Sequence, residues 1–138
     1  MRWLKIASDT DLVKDEIDMG GVIIHVEWPA GSTRTWKGSN DTRKMYADYG
    51  RIPSTKGFDG DCCDAYCGPN RDSRKVFEVT QISRDTGEFD ESKYILGVDN
   101  LETAKELYLA HMHPDNLGGI VEISWAEFKR LVDDVLAN

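Results

Sequence analysis

Apolar and polar positions follow two periods along this chain, and the change from one to the other divides it. Residues 21–28, GVIIHVEW, are rich in β-branched residues and predict a strand. Gly20-Gly21 punctuates the chain before it. Further upstream, Ser8 and Asp11 have helix-capping spacing, so a short helix through Ile17 is one reading of residues 1–19. Pro29-Ala30-Gly31-Ser32 predicts a turn, with TRTW (33–36) returning as the second arm of a hairpin. Residues 37–60 are crowded with Gly, Ser, Asn, Asp and Thr and read as mostly irregular, with an extended piece at Tyr49-Gly50-Arg51-Ile52. A long irregular stretch inside a small domain is often functional. DAYC (64–67) predicts a short strand ended by Gly68-Pro69. KVFEVTQIS (75–83) alternates, and KYILGV (93–98) follows a Thr-Gly turn signal, so 75–98 predicts a hairpin with an acidic tip.

Beyond residue 100 the period becomes helical. Asn100 can cap a helix whose apolar positions are Leu101, Ala104, Leu107, Tyr108 and His111 or Met112, ended by Pro114 and Gly118-Gly119. GIVEI (119–123) predicts a short strand. Ser124-Trp125-Ala126-Glu127 is a capping box, opening a helix with Trp125, Phe128, Leu131, Val132 and Val135 on one face. Strands followed by helix, strand and helix favour an α+β fold with a small antiparallel sheet or barrel.

The 138 residues fit one domain with a real core. No apolar run reaches membrane-spanning length, and the first residues lack the features of a signal peptide. Three cysteines exclude a complete set of internal disulfides and point to a reducing, cytoplasmic setting. A net charge of −8 argues against nucleic acid as the main partner. An acidic protein that handles phosphate needs metal cations to invert the local field.

Chemistry concentrates at DGDCCD, residues 59–64, where Asp59, Asp61 and Asp64 lie within one short stretch. Their repulsion falls if divalent cations sit between them. Oxygen ligands suit Mg²⁺, Mn²⁺ or Ca²⁺. On an extended backbone Asp59 and Asp61 share a face, and Asp64 joins them through a bend. A solvated acidic loop is the plain alternative. An EF-hand is excluded, because its glycine and glutamate positions hold Asp64 and Asn70. The thiols Cys62, Cys63 and Cys67, with His25, His111 or His113, offer a zinc reading, but only one C-x₃-C knuckle is present. Small buried hydrophobes turning the carboxylates inward are the better account of them. His111 and His113 read as caps or surface residues. A second acidic group, Asp85, Glu88, Asp90 and Glu91, precedes Lys93. It is either a solvated tip or a carboxylate set facing the first, with Lys93 aimed at an anion.

The segment YGRIPSTKGFDGDCCDAYCGP (49–69) resembles the core of the soluble, Mg²⁺-dependent inorganic pyrophosphatases of barrel fold. Tyr49-Gly50-Arg51-Ile52 stands ten residues ahead of the aspartate motif, as in that family. VEWPAGSTRTWK (26–37) is similar to the family strand with a Glu before Pro, matched by Glu27, and a lysine further on, matched by Lys37 or replaced by Arg34. Asp85 and Asp90 keep the family's step, and Lys93 follows one residue late. TKGFDGDCCDAYCGPN, DTGEFDESKYILG and SWAEFKRLV resemble, more closely still, the compact pyrophosphatase-like domain of phage and prophage proteins. Together the likeness spans roughly residues 20–132. The larger family's Tyr-Lys pair near the C-terminal end falls around His111-Met112-His113 and is not kept.

The resemblance implies a five-stranded barrel of oligonucleotide-binding (OB-like) type with two flanking helices. Residues 1–19 become an N-terminal extension and 20–138 the pyrophosphatase-like domain. It also implies Mg²⁺-dependent hydrolysis of inorganic pyrophosphate to two phosphates, with Mn²⁺ as a possible substitute. Asp59, Asp61, Asp64, Asp85 and Asp90 would hold the metals. Asp61 would orient the attacking water and take its proton. Glu27, Arg34, Lys37, Arg43, Tyr49 and Lys93 would bind substrate, Tyr49 and Lys93 also acting in catalysis. The alternatives are a phosphohydrolase of a nucleotide or signalling nucleotide, and a degenerate phage module binding metal or phosphate. Homo-oligomers are common among such relatives, and a phage protein would work in the host cytoplasm.

Overall fold

In a computed structural model of the chain, residues 15–36, 38–53 and 62–137 are described. Nine strands and two helices follow one another along them. Strands β1 (Asp15–Met19) and β2 (Val22–Trp28) form a hairpin. Its turn is Gly20-Gly21, both at positive φ, a region that glycine enters without a Cβ penalty. The helix reading of 1–19 is therefore corrected over residues 15–19, and residues 1–14 lie outside the described part.

Strand β3 (Thr33–Thr35) pairs with β4 (Thr42–Lys44) in a separate two-stranded ribbon. TRTW does not return along β2 as expected. The position beside β2 is taken by β5 (Asp48–Ile52). β6 (Cys63–Cys67) pairs antiparallel with β5 and parallel with β8 (Phe89–Leu96), which forms the predicted hairpin with β7 (Val76–Ile82). Helix α1 (Leu101–His111) follows, with the Asn100 side chain accepting from the Thr103 N–H at 2.8 Å. A single 3₁₀ turn, Pro114–Asn116, leads into β9 (Leu117–Ile123), and helix α2 (Trp125–Ala137) ends the fold. The α2 cap is the predicted one, Ser124 Oγ accepting from the Glu127 N–H at 3.0 Å.

The main sheet has the order β1-β2-β5-β6-β8-β7-β9. The α+β class holds, and the count of five strands is corrected to seven. Among the described residues β1 and β9 pair with no common neighbour, so the sheet is open where a closed OB-like barrel was expected. β1 accounts for one of the extra strands; it was hidden in a polar segment open to a helix reading, as β4 of the separate ribbon was in a segment without apolar alternation.

Alternation then builds two cores. Val22, Ile24, Ile52, Cys63, Ala65, Cys67, Tyr94 and Leu96 pack with Phe128 and Val132 of α2. Tyr49, Tyr66, Phe77, Val79 and Ile95 pack with Ala104 and Tyr108 of α1 on the opposite face. Leu131 and Leu101, expected on the buried faces of their helices, are instead exposed. No described helix is long and apolar enough to cross a membrane.

One glycine fixes how closely β2 and β5 approach. A Cβ on Gly50 would lie 1.9 Å from the His25 carbonyl oxygen. Gly50→Ala is expected to destabilise the fold by about 3 kcal/mol or more, because backbone atoms cannot yield as a side-chain tip can. Chemical denaturation would measure it, and an unchanged midpoint would remove this constraint.

Candidate active site

The α1-facing side of the central strands carries the predicted polar residues. Tyr49 on β5, Asp64 on β6 and Lys93 on β8 sit on adjacent strands, and Asp64 and Lys93 are register partners. The Tyr49 hydroxyl donates to Asp64 Oδ2 at 2.5 Å. Lys93 Nζ donates to the Tyr49 hydroxyl at 2.6 Å and to Asp64 Oδ2 at 3.2 Å. Glu91 Oε2 lies 3.6 Å from the same ammonium. Lys93 is only 3% exposed, so these oxygens replace its water. Burial, then the Asp64 charge, hold the Tyr49 phenol well above its ordinary range, and it stays protonated.

The ribbon adds cations above this group. The Arg34 guanidinium lies 4.5 Å from the Tyr49 ring centroid and 4.7 Å from that of Trp36. Arg43, its cross-strand partner, is exposed. Like charges directly opposite repel, so this ribbon end is suited to an anion.

Two β-bulges carry two more of the predicted residues. Pairing of β2 with β5 passes from Val26 to Trp28, leaving Glu27 as the extra residue. Pairing of β7 with β8 passes from Glu91 to Phe89, leaving Asp90 as the extra residue. A bulge re-aims a side chain out of strict alternation. Glu27 thereby meets Arg51 at 3.3 Å and lines a cavity of about 430 Å³ that also includes Asp64. Asp90 Oδ2 accepts from Gln81 Nε2 at 3.0 Å, and Gln81 Oε1 accepts from the Tyr108 hydroxyl at 2.7 Å. Helix α1 thus orients Asp90 through a buried glutamine. Asp85 lies in the exposed turn before β8, its backbone N–H bonded to Ser83 Oγ at 3.2 Å. Asp59, Asp61 and Lys37 lie outside the described residues.

Sequence reasoning missed Gln81, Tyr108, Arg51 and His25 as parts of this neighbourhood. Gln81 follows Phe77 and Val79 at period two, so a polar residue stood on an apolar face and the signal was available. Arg51 follows Tyr49 by two, and His25 precedes Glu27 by two. His111, expected as a cap or surface residue, is 2% exposed. It stacks on Tyr66 with centroids 4.8 Å apart, and its Nε2 accepts from the Tyr46 N–H at 2.9 Å. It therefore pins the segment leading into β5 against α1. His113 is a cap, as expected, its Nδ1 accepting from the Asp115 N–H at 3.0 Å.

Among the described residues no three His, Cys, Asp or Glu side chains converge as a metal site. Cys63 and Cys67 are in no disulfide and are buried in the α2-side core, where burial pushes the Cys67 thiol up to about 12. Cys62 is not buried as expected; it lines the cavity, its thiol 3.7 Å from the Pro53 carbonyl oxygen. The carboxylates Asp64 and Glu27 at the cavity are hard oxygen donors, the donor type that suits Mg²⁺.

The family model for inorganic pyrophosphatase matches residues 7–133. The chain belongs to the inorganic pyrophosphatase family. No curated protein and no solved structure gives a significant match.

The buried histidine supplies a pH test. Burial holds the His111 ring below its ordinary value; the hydrogen bond to the Leu107 carbonyl opposes this, and Arg43 and Arg34 reinforce it. The unfolded ring takes a proton near pH ~6.5, and the folded ring resists until lower pH. Its contribution to stability is therefore complete above about pH 6.5 and is lost as pH falls below that value. Thermal melts between about pH 7.5 and about pH 5 should show a falling Tm, with a shallower slope in His111→Gln. Equal slopes in the two proteins would count against this role.

Proposed function

We propose that this protein hydrolyses inorganic pyrophosphate to two phosphates in a Mg²⁺-dependent reaction, with Mn²⁺ able to substitute. The observation that carries this reading is the buried Lys93–Tyr49–Asp64 group beneath Arg34, in a chain of the pyrophosphatase family. The domain is read as residues 20–138, with the extension 1–19 contributing β1 to its sheet.

Asp59, Asp61, Asp64, Asp85 and Asp90 would hold the metal, the first two from their place in the sequence motif. Mg²⁺, when bound, supplies Lewis-acid activation of water and neutralises phosphate charge. The chain's own residues do the rest. Asp61 takes the proton of the attacking water. Water adds to one phosphorus in line, and the anhydride P–O bond breaks. The leaving phosphate gains charge, which Lys93, Arg34, Arg43 and Lys37 neutralise and to which the Tyr49 hydroxyl donates. The burial of Lys93 and Tyr49 fixes both groups before substrate arrives, so no reorganisation is needed as charge develops. Glu27, re-aimed by its bulge, positions a water or a cationic side chain.

The sequence likeness to compact phage and prophage domains supports a phage-encoded protein working as a homo-oligomer in the host cytoplasm. A phosphate-release assay with Mg²⁺, over pyrophosphate and common nucleotides, tests the activity. Asp61→Asn should abolish release from pyrophosphate with an unchanged far-ultraviolet circular dichroism spectrum; retained activity would remove Asp61 from its role. Tyr49→Phe should lower kcat by about 10²-fold, the usual effect of deleting one transition-state donor.

A further inference from the structure

The proposed mechanism gives no part to Trp36, the residue that follows β3. Arg34 and Trp36 are half-buried, and Thr33 and Thr35, which alternate with them, are exposed. Residues two apart on an extended strand share a face, so Arg34 and Trp36 lie on the same side of the ribbon. The Trp36 carbonyl accepts from the Ser39 N–H at 3.0 Å, in a turn that carries Gly38 at a φ of 78°. The backbone that bears the indole is therefore held in place.

Core packing does not account for this tryptophan. Trp28 and Trp125 each pack against one of the two cores, and Trp36 packs against neither. Its ring instead meets Arg34, whose guanidinium lies 4.7 Å from the indole centroid and 4.5 Å from that of Tyr49. Among the described residues no ion pair or hydrogen bond adds to these two ring contacts. Arg43 stands directly opposite Arg34, and like charges in that position repel. Two ring faces offset that repulsion and keep Arg34 above the site.

The manner of holding matters for an anion site. A carboxylate partner would hold an arginine by using its N–H donors and cancelling its charge. A ring face attracts the cation through its quadrupole and leaves both untouched. All five donors stay in the guanidinium plane, in the fork that matches phosphoryl oxygens. Without the indole, Arg34 would regain rotamer freedom, and ordering it again would count against binding. The ribbon pairs with no strand of the main sheet among the described residues. Ring contacts therefore decide where its guanidinium sits relative to Tyr49.

We propose that Trp36 is a positioning residue, which with the Tyr49 ring holds the Arg34 guanidinium over the site with its donors free for a phosphoryl oxygen. The proposal rests on reading the site as one that binds and hydrolyses a phosphoanhydride. Its test is binding, so the two can fail separately. Calorimetric titration of the full chain with imidodiphosphate and Mg²⁺ measures the affinity of a hydrolysis-resistant probe. Trp36→Leu should weaken binding about five- to thirtyfold, the range of one cation–ring contact. Trp36→Phe, which keeps a ring face, should restore most of that loss. Trp36→Gln serves in place of the leucine variant if that one does not fold. In an Arg34→Ala background Trp36→Leu should cost nothing further, because the contact it removes is already gone. An equal loss with and without Arg34 overturns the proposal, as does unchanged affinity in Trp36→Leu or a phenylalanine variant as weak as the leucine one. Failure of the wild type to bind imidodiphosphate also overturns it. Binding as expected without phosphate release from pyrophosphate overturns the hydrolase reading instead, and leaves the positioning role standing.

Discussion

An ammonium group leaves water only where oxygen atoms replace its hydration. Lys93 is buried on the central strand β8, and its partners come from β5 and β6. Tyr49 links the two charges by receiving from Lys93 and donating to Asp64. Each member would be unfavourable without the others, so the group demands a fixed register of three strands. Slippage of one residue would turn Tyr49, Asp64 or Lys93 to the opposite face. The chemistry proposed for this protein and the stability of its sheet therefore depend on the same contacts.

The surroundings serve that register. Gly50 allows β5 to approach β2 closely, and it lies between Tyr49 and Arg51. Tyr66 and His111 pack beneath Tyr49, and His111 anchors the approach to β5 against α1. The two bulges break alternation where it would otherwise constrain Glu27 and Asp90. Helix α1 reaches Asp90 through Tyr108 and Gln81, so one helix supports both sides of the site. The α2-side core is apolar and contains none of the predicted site residues.

Much of this was legible in the chain. The β-branched run of 21–28, the alternation of 75–83, the Asn100 and Ser124 caps and the α+β class follow from local rules, and the structure keeps them. The spacing between Tyr49-Gly50 and the aspartate motif pointed to the pyrophosphatase family, which the family match shows. Illegible elements lacked a local signal. β1 holds Asp15, Glu16 and Asp18, and only pairing with β2 makes it a strand. TRTW had strand character, but nothing local chose between β2 and β4 as its partner. The thiols looked like a group in sequence and part in space, Cys63 into the core and Cys62 toward the cavity.

By itself, the sequence determined which residues alternate, where helices start and which side chains carry charge or can bind a hard cation. Those properties are local, fixed by backbone periodicity and side-chain chemistry. Only the tertiary structure decided that Lys93 is buried against Tyr49 and Asp64 and that Gln81 ties Asp90 to α1. Each of these joins residues far apart in the chain, and strand order and register alone bring them within hydrogen-bonding reach.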